Sequence, residues 1–313
     1  MQKIATRDAY GKALLELGRR YENIVVLDAD LSKSTKTELF AKEFPERFFQ
    51  MGIAEQDMMA TAAGLAFCGK VAFASTFAIF ATGRAFEQIR NSICYPKVNV
   101  KVCATHAGIT VGEDGGSHQS VEDIALMRSI PNMTVVVPAD AVSTEKAVEA
   151  IYKHQGPVYL RLGRPGVPVI YDDKYQFEIG KATKLKDGSD AAVIATGIMV
   201  SLALDAAEML REEGVSIQVW DMSTIKPLDV EAVKEAAKTG AIITAEEHSI
   251  IGGLGGAVAE AAAANSPCLM GFVGIEDTFG ESGTPNELME KYKLTPESIR
   301  DKVKEILAKK SSS

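Results

Sequence analysis

The segment GIAEQDMMATAAGLAFCG, residues 52–69, is small and apolar apart from its first turn, where Glu55 follows Gly52, Ile53 and Ala54. A carboxylate there has two readings. It is a helix-N-terminal anion favoured by the macrodipole, or an acid that shares a proton in a surround that disfavours charge. A richer signal is THAGITVGEDGGSHQSVED, residues 105–123, which gathers His106, Glu113, Asp114 and His118 in a Gly-rich loop. Ordering a long loop costs entropy, and with no core of its own to offset that cost it reads as functional. It is neither a G-x-x-x-x-G-K-S/T phosphate loop nor a G-x-G-x-x-G dinucleotide turn. GGLGGA at 252–257 comes closer, but it opens a helix, where tight packing explains it as well as ligand binding does. Phe77 and Phe80 stand three apart on an expected helix, as a core pair or as a platform for a ring. His106 and His118 can be structural or functional imidazoles, and Arg7 and Arg164 surface charges or anion contacts.

These residues acquire order from the elements that must carry them. Apolar runs of strand length alternate with helical periods along the whole chain, the pattern of mostly parallel sheets covered by helices. Strands are expected at 24–27, 47–51, 71–75, 98–104, 134–137 and 158–162, then at 191–196, 215–220, 241–246 and 269–274. Helices are expected near 200–213, 229–238, 254–264 and 285–293, and a last one capped by Thr295 with Pro296 in its first turn. The stretch 164–190 is rich in Pro, Gly and charge and breaks the alternation. It divides the chain into a first domain over 1–170, a linker over 171–189 and a second domain over 190–313. The SSS tail is expected to be disordered. Ligands of parallel α/β sheets sit beyond the carboxyl ends of the strands. There the first domain places Asp28, Asp30 and Ser34, then Glu55, then Phe77 and Phe80, then His106, Asp114 and His118, then Arg164.

The composition narrows the function. A net charge of -8 with no cluster of Lys and Arg argues against nucleic acid and anionic membranes. No uncharged run reaches the ~20 residues that span a bilayer, and the first residues lack an apolar signal core. A cytoplasmic protein is expected. Cys68, Cys94, Cys103 and Cys268 form no C-x-x-C pair and read as reduced core residues, with neither disulfide nor zinc site. A hydrophobic content of 46% points to apolar surface buried against another chain.

On these residues the chain resembles the C-terminal half of transketolase, its pyrimidine-binding domain followed by its C-terminal domain. The likeness runs through LDADLSKST, GIAEQDMMATAAGLA, FASTFAIFATGRAFEQIR, ATHAGITVGEDGGSHQSVED, IPNMTVVVPAD and LRLGRP, over nearly the whole chain. GEDG followed by SHQ is the specific part. The resemblance implies two doubly wound α/β domains and thiamine diphosphate as cofactor. It implies that Glu55 hydrogen-bonds N1′ of the aminopyrimidine and favours its imino tautomer, with Phe77 and Phe80 packed on the ring. Asp30 and Leu31 would lie at the cofactor's edge. Arg7, Ser34, His106 and Arg164 would form a sugar-phosphate site, and Asp114 and His118 would meet the sugar hydroxyls, with Glu55 and His118 catalytic. A third ring aromatic found in some members corresponds to Gly83, so pyrimidine packing here is looser or completed differently.

The family holds the diphosphate and its Mg²⁺ through a GDG motif and an Asn pair in an N-terminal domain. No GDG occurs here, and EDG at 113–115 and KDG at 186–188 lack the context. The resemblance therefore implies one subunit of a split transketolase that itself ligates no metal. Its partners would be an N-terminal-half subunit, a second copy of this chain and sugar phosphates. An alternative keeps the cofactor but makes the chain half of a deoxyxylulose-phosphate synthase or 2-oxo acid dehydrogenase. Pyruvate against xylulose 5-phosphate as donor distinguishes these, and His106 with Asp114 favours the sugar. A non-catalytic binding paralogue is the remaining reading.

Overall fold

The computed structural model describes residues 2–312. The first half supplies β1 (Lys3–Ala5), β2 (Ile24–Asp28), β3 (Phe48–Gln50), β4 (Val71–Phe77), β5 (Val100–Thr105), β6 (Thr134–Val136), β7 (Val158–Arg161) and β8 (Gly166–Pro168). The second supplies β9 (Thr183–Lys186), β10 (Ala191–Ala195), β11 (Ile217–Asp221), β12 (Thr224–Lys226), β13 (Ala241–Ser249) and β14 (Leu269–Ile275). Strands such as β2, β4, β5 and β10 are buried at every residue. That is why they read as continuous apolar runs, the mark of parallel strands covered on both faces.

The larger sheet runs β12-β6-β7-β5-β4-β2-β3 and the smaller β14-β13-β10-β11-β9. Each is parallel except for one antiparallel edge, β12 or β9. On one face of the larger sheet the helices Thr6–Arg20 and Ala141–Lys153 bury Tyr10, Leu14, Leu17 and Ile151 against Val26 and Phe73. On the other, helix Glu55–Phe67 buries Met58, Met59 and Ala62. In the second half, helices Met199–Glu212 and Pro296–Ser311 share a core of Ala203, Leu210, Ile299 and Val303. The opposite face joins the core of the first half, so that Trp220, Ile242 and Leu254 belong to one apolar cluster with Met58 and Val102.

Four expectations change. The stretch 164–190 is not plain linker, because it contains β8 and β9. β9 is half-buried along its length and pairs on one side only, so it shows no apolar run to read. β12 comes from the second half but pairs with β6 of the first sheet, so the halves share a sheet. The helix from Pro296 continues to Ser311, with Thr295 accepting the Ser298 amide as its cap, so the tail is largely helix end. Ser313 lies outside the described residues. Of the cysteines only Cys94 and Cys103 are core residues, while Cys68 is exposed at a helix end and Cys268 half-buried.

Candidate active site at the carboxyl ends of the first sheet

In the larger sheet, β3 lies on one side of β2 and β4 on the other, which opens a crevice at the carboxyl ends of β2 and β4. Asp28, at the end of β2, is buried and spent on shaping the next turn. It accepts the Leu31 amide at 2.7 Å and the Thr35 and Thr37 hydroxyls at 2.6 and 2.9 Å. That turn presents Asp30 at φ 62° and leads to Ser34. Asp30 and Leu31 are tied to Gln50 and Asp28, not to Glu55 or the phenylalanines.

Glu55 opens its helix and is only 2% exposed. It is therefore both the first-turn anion and a buried site carboxylate. Its surround is not wholly apolar, since Arg84 Nη1 donates to Glu55 Oε2 at 2.8 Å. Phe77 is the last residue of β4, not part of a helix, and Phe80 begins a π-helical turn, Phe80–Arg84. Their rings lie nearly parallel, 5.9 Å apart at 11°. The wide turn gives Phe80 a half-exposed place in the crevice wall, and such turns recur at functional sites.

His106 stacks on Phe77 with centroids 3.8 Å apart, and His118 meets the edge of Phe80 at 5.4 Å. His106 holds a positive φ of 56° and is 3% exposed. Burial first, then the charges of Arg7 and Arg164, brings its pKa down to about 3. It is therefore a neutral imidazole at physiological pH. Arg7 Nη1 reaches His106 Nε2 at 3.1 Å and donates to the Ser34 carbonyl at 3.2 Å. A proton shared along Arg7–His106 requires Nε2 to accept, so Nδ1 carries the hydrogen toward the Thr105 hydroxyl, 2.9 Å away. Arg164 donates to the Val111 carbonyl and lies 3.3 Å from Glu113 and 3.8 Å from Asp114. It also lines a cavity of about 510 Å³ with Lys36, Lys12 and Asp8. Lys36, at φ 68°, adds a cation that the sequence reading missed.

The Gly-rich loop is fixed from the second half of the chain. Glu247 Oε1 accepts the Thr110 amide at 2.8 Å, and Gln119 Nε2 donates to the Glu281 carbonyl at 2.9 Å. Gly108 passes so close to the Glu247 carboxylate that a Cβ there would stand 2.2 Å from it. GGLGGA proves structural. Glu246 accepts the Leu254 and Gly255 amides at 2.7 and 2.8 Å and so fills the helix N-terminus that an anion would need. Among the described residues no group of three or more His, Cys, Asp or Glu side chains could hold a metal ion. A buried carboxylate beside stacked rings fits an aminopyrimidine.

The fold and rim define one class, an α/β chain with a polar crevice beyond the strands of its first sheet, and the comparisons narrow it. Residues 2–169 match the model of the transketolase pyrimidine binding domain and residues 180–299 that of the transketolase C-terminal domain. A Methanocaldococcus jannaschii protein, provisionally described as a transketolase C-terminal section, is 53% identical over 97% of this chain and 96% of its own. The 6-deoxy-6-sulfo-D-fructose transketolase subunit of a Clostridium species is 42% identical over 97% of this chain and 95% of its own. A split-gene transketolase, solved as an inactive tetramer of its beta subunits, superposes with a TM-score of 0.92 at 57% identity, covering 97% of this chain and 99% of that one. The chain belongs to the transketolase family.

Proposed function

We propose that this chain, with an N-terminal-half partner, transfers a two-carbon ketol unit from a ketose phosphate to an aldose phosphate in the cytoplasm, as part of pentose-phosphate metabolism. The observation that carries the reading is the meeting at one switch point of a buried carboxylate, two parallel phenyl rings, a neutral histidine and two arginines. Thiamine diphosphate, when bound, supplies the carbanion chemistry. Glu55 holds a proton at N1′ of the aminopyrimidine, and Phe77 and Phe80 orient that ring, while Asp30 and Leu31 flank the cofactor. Arg7 and Arg164 bind the substrate phosphate, for which a planar guanidinium is suited. Ser34 and His106 complete that pocket, His106 as a neutral hydrogen-bonding group. Asp114 and His118 orient the sugar hydroxyls, and His118 stands where it can pass a proton to them. The Mg²⁺ and diphosphate are assigned to the partner, because that much charge is not buried unpaired.

Copies of this chain are proposed to pair as well, with each site completed between subunits in a dimer of heterodimers. Two cationic side chains on the rim favour a phosphorylated sugar over pyruvate, and hence transketolase over the 2-oxo acid reading. The test is to purify the chain with and without a co-expressed N-terminal-half protein and to measure Mg²⁺-dependent thiamine diphosphate binding and ketol transfer. Both should come only with the partner. Turnover by the chain alone, or pyruvate serving as donor, would overturn the proposal.

A further inference from the structure

Glu55 and Phe80, the groups offered to the pyrimidine, already share an occupant from the chain itself. Arg84 Nη1 donates to Glu55 Oε2 at 2.8 Å, and the same guanidinium lies 4.6 Å from the centroid of the Phe80 ring. A flat group that hydrogen-bonds the carboxylate and covers the phenyl face is what an aminopyrimidine must also be. The Arg84 backbone is fixed, since its carbonyl accepts from Gln56 Nε2 at 3.1 Å. Its side chain is 47% exposed and so free to leave. The position before it, Gly83, leaves the wall open, because a Cβ there would meet only Ile79 Cδ1 at 3.8 Å.

We infer that Arg84 sets the affinity of this site for the cofactor by competing with the aminopyrimidine for Glu55 and Phe80. A ring that stacks on Phe80 and bonds Glu55 would take the place that the guanidinium holds. A guanidinium on the carboxylate is also the wrong partner for an acid that must share its proton with a ring nitrogen. The side chain must therefore swing out for the ring to enter, and the measured affinity is the intrinsic one reduced by the fraction of sites that Arg84 leaves open. This rests on the proposed pyrimidine site, and the test keeps the two apart.

The complex of this chain with its N-terminal-half subunit is titrated with thiamine diphosphate and Mg²⁺ by calorimetry, in wild type, Arg84→Met and Arg84→Lys. Arg84→Met, which keeps the bulk and loses the hydrogen bond, should bind roughly three- to tenfold tighter with kcat little changed, and the lysine variant should fall between. Arg84→Met binding no tighter than wild type would overturn the inference, and weaker binding would make Arg84 a cofactor ligand instead. Should Arg84→Met fail to fold, Arg84→Lys alone decides by the same titration. Glu55→Gln is assayed in parallel for turnover. If that variant stays fully active, the pyrimidine-site reading itself has failed, whatever Arg84 does.

Discussion

The two sheets carry the same kind of switch point and use it in opposite ways. In the first, the polar side chains beyond β2, β4 and β5 border a crevice, and Arg7, Asp114, His118 and Arg164 keep part of their surface in solvent. In the second, strand order reverses between β10 and β13, and β13 ends in Glu246, Glu247 and His248, all buried. Every one of these is taken. Glu246 caps the helix that begins at Leu254, Glu247 holds the Thr110 amide, and His248 Nε2 accepts from the Ala125 amide at 3.2 Å. Burial pushes the Glu246 and Glu247 carboxyls up, as expected where charge is desolvated in the service of packing. Chemistry needs polar groups with capacity to spare, which the side chains of the first rim keep in part. The second has become the joint that holds the first rim's loop in place.

The sharpest way to break this contrast is Glu55→Gln. An amide cannot exchange the proton that the imino tautomer needs, so kcat should fall on the order of 10²-fold or more while the fold is kept. Near wild-type turnover with an unchanged melting temperature would move the chemistry away from this rim. A second test lies in the closed half. Burial drives Asp221 up to about 7, against hydrogen bonds from Tyr171 and Ser223 and with Asp140 adding to the rise. A carboxyl whose folded pKa is raised contributes stability that is fully present below its unfolded value near 4 and lost as pH climbs through 7. Wild type should lose up to about 4 kcal/mol more than Asp221→Asn between pH 4 and 8. Equal slopes of urea-unfolding free energy would show that Asp221 does not titrate in that window.

Arg164→Ala probes the open rim at its phosphate end. Loss of a charge-assisted contact should raise KM for phosphorylated sugars by roughly ten- to a hundredfold, and for unphosphorylated analogues far less. Equal shifts for both substrate types would show that Arg164 does not read the phosphate, and His106→Ala should behave likewise but more weakly. Glu247→Ala crosses from one region to the other. The Thr110 amide loses its acceptor in a buried place, a cost of about 1–3 kcal/mol in unfolding free energy. Because Thr110 belongs to the loop bearing Asp114 and His118, kcat should drop while thiamine diphosphate affinity holds. A stability loss with kcat intact would leave Glu247 a merely structural residue.

Much of this was legible in the chain, and what was not has physical reasons. The strands β2, β4, β5, β7, β10, β11 and β13 show as apolar runs because both their faces are covered. The rim residues follow because loops succeed strands in order. β9 and β12 were missed, since a short antiparallel edge needs neither an apolar run nor a turn signal beside it. Arg84 lies within FASTFAIFATGRAFEQIR, whose spacing points to no partner for it. Its role depends on a π-helical turn that carries the side chain back to a residue 29 positions away, a distance that sequence pattern does not encode. The charge state of His106 is not written in its residue type, because burial beside two arginines decides it. Glu246 and Glu247 lie in an ordinary strand, and only the packing of one half on the other distinguishes them.

The smallest expected effect lies where the closed half touches the loop with a helix end. Helix Pro285–Lys291 starts with a capping box, in which Thr284 accepts the Glu287 amide and Glu287 Oε2 accepts the Thr284 amide at 3.0 Å. Pro285 stands against Gly112, where a Cβ would come within 3.3 Å of its ring. The cap thus anchors one side of the turn Ile109–Val111 within the Gly-rich loop. Thr284→Ala should cost about 1 kcal/mol of stability, too little to unfold the chain and too far from the carboxylate of Glu55 to alter chemistry directly. If the second half acts only as a scaffold, amide exchange should quicken in the helix and nowhere else. If it positions the loop, protection should also fall at Ile109–Gly112 and KM should rise modestly, with kcat and thiamine diphosphate affinity unchanged. Exchange confined to Pro285–Lys291 would therefore separate the two regions more cleanly than the structure does, and limit the joint to Glu247 and Gln119.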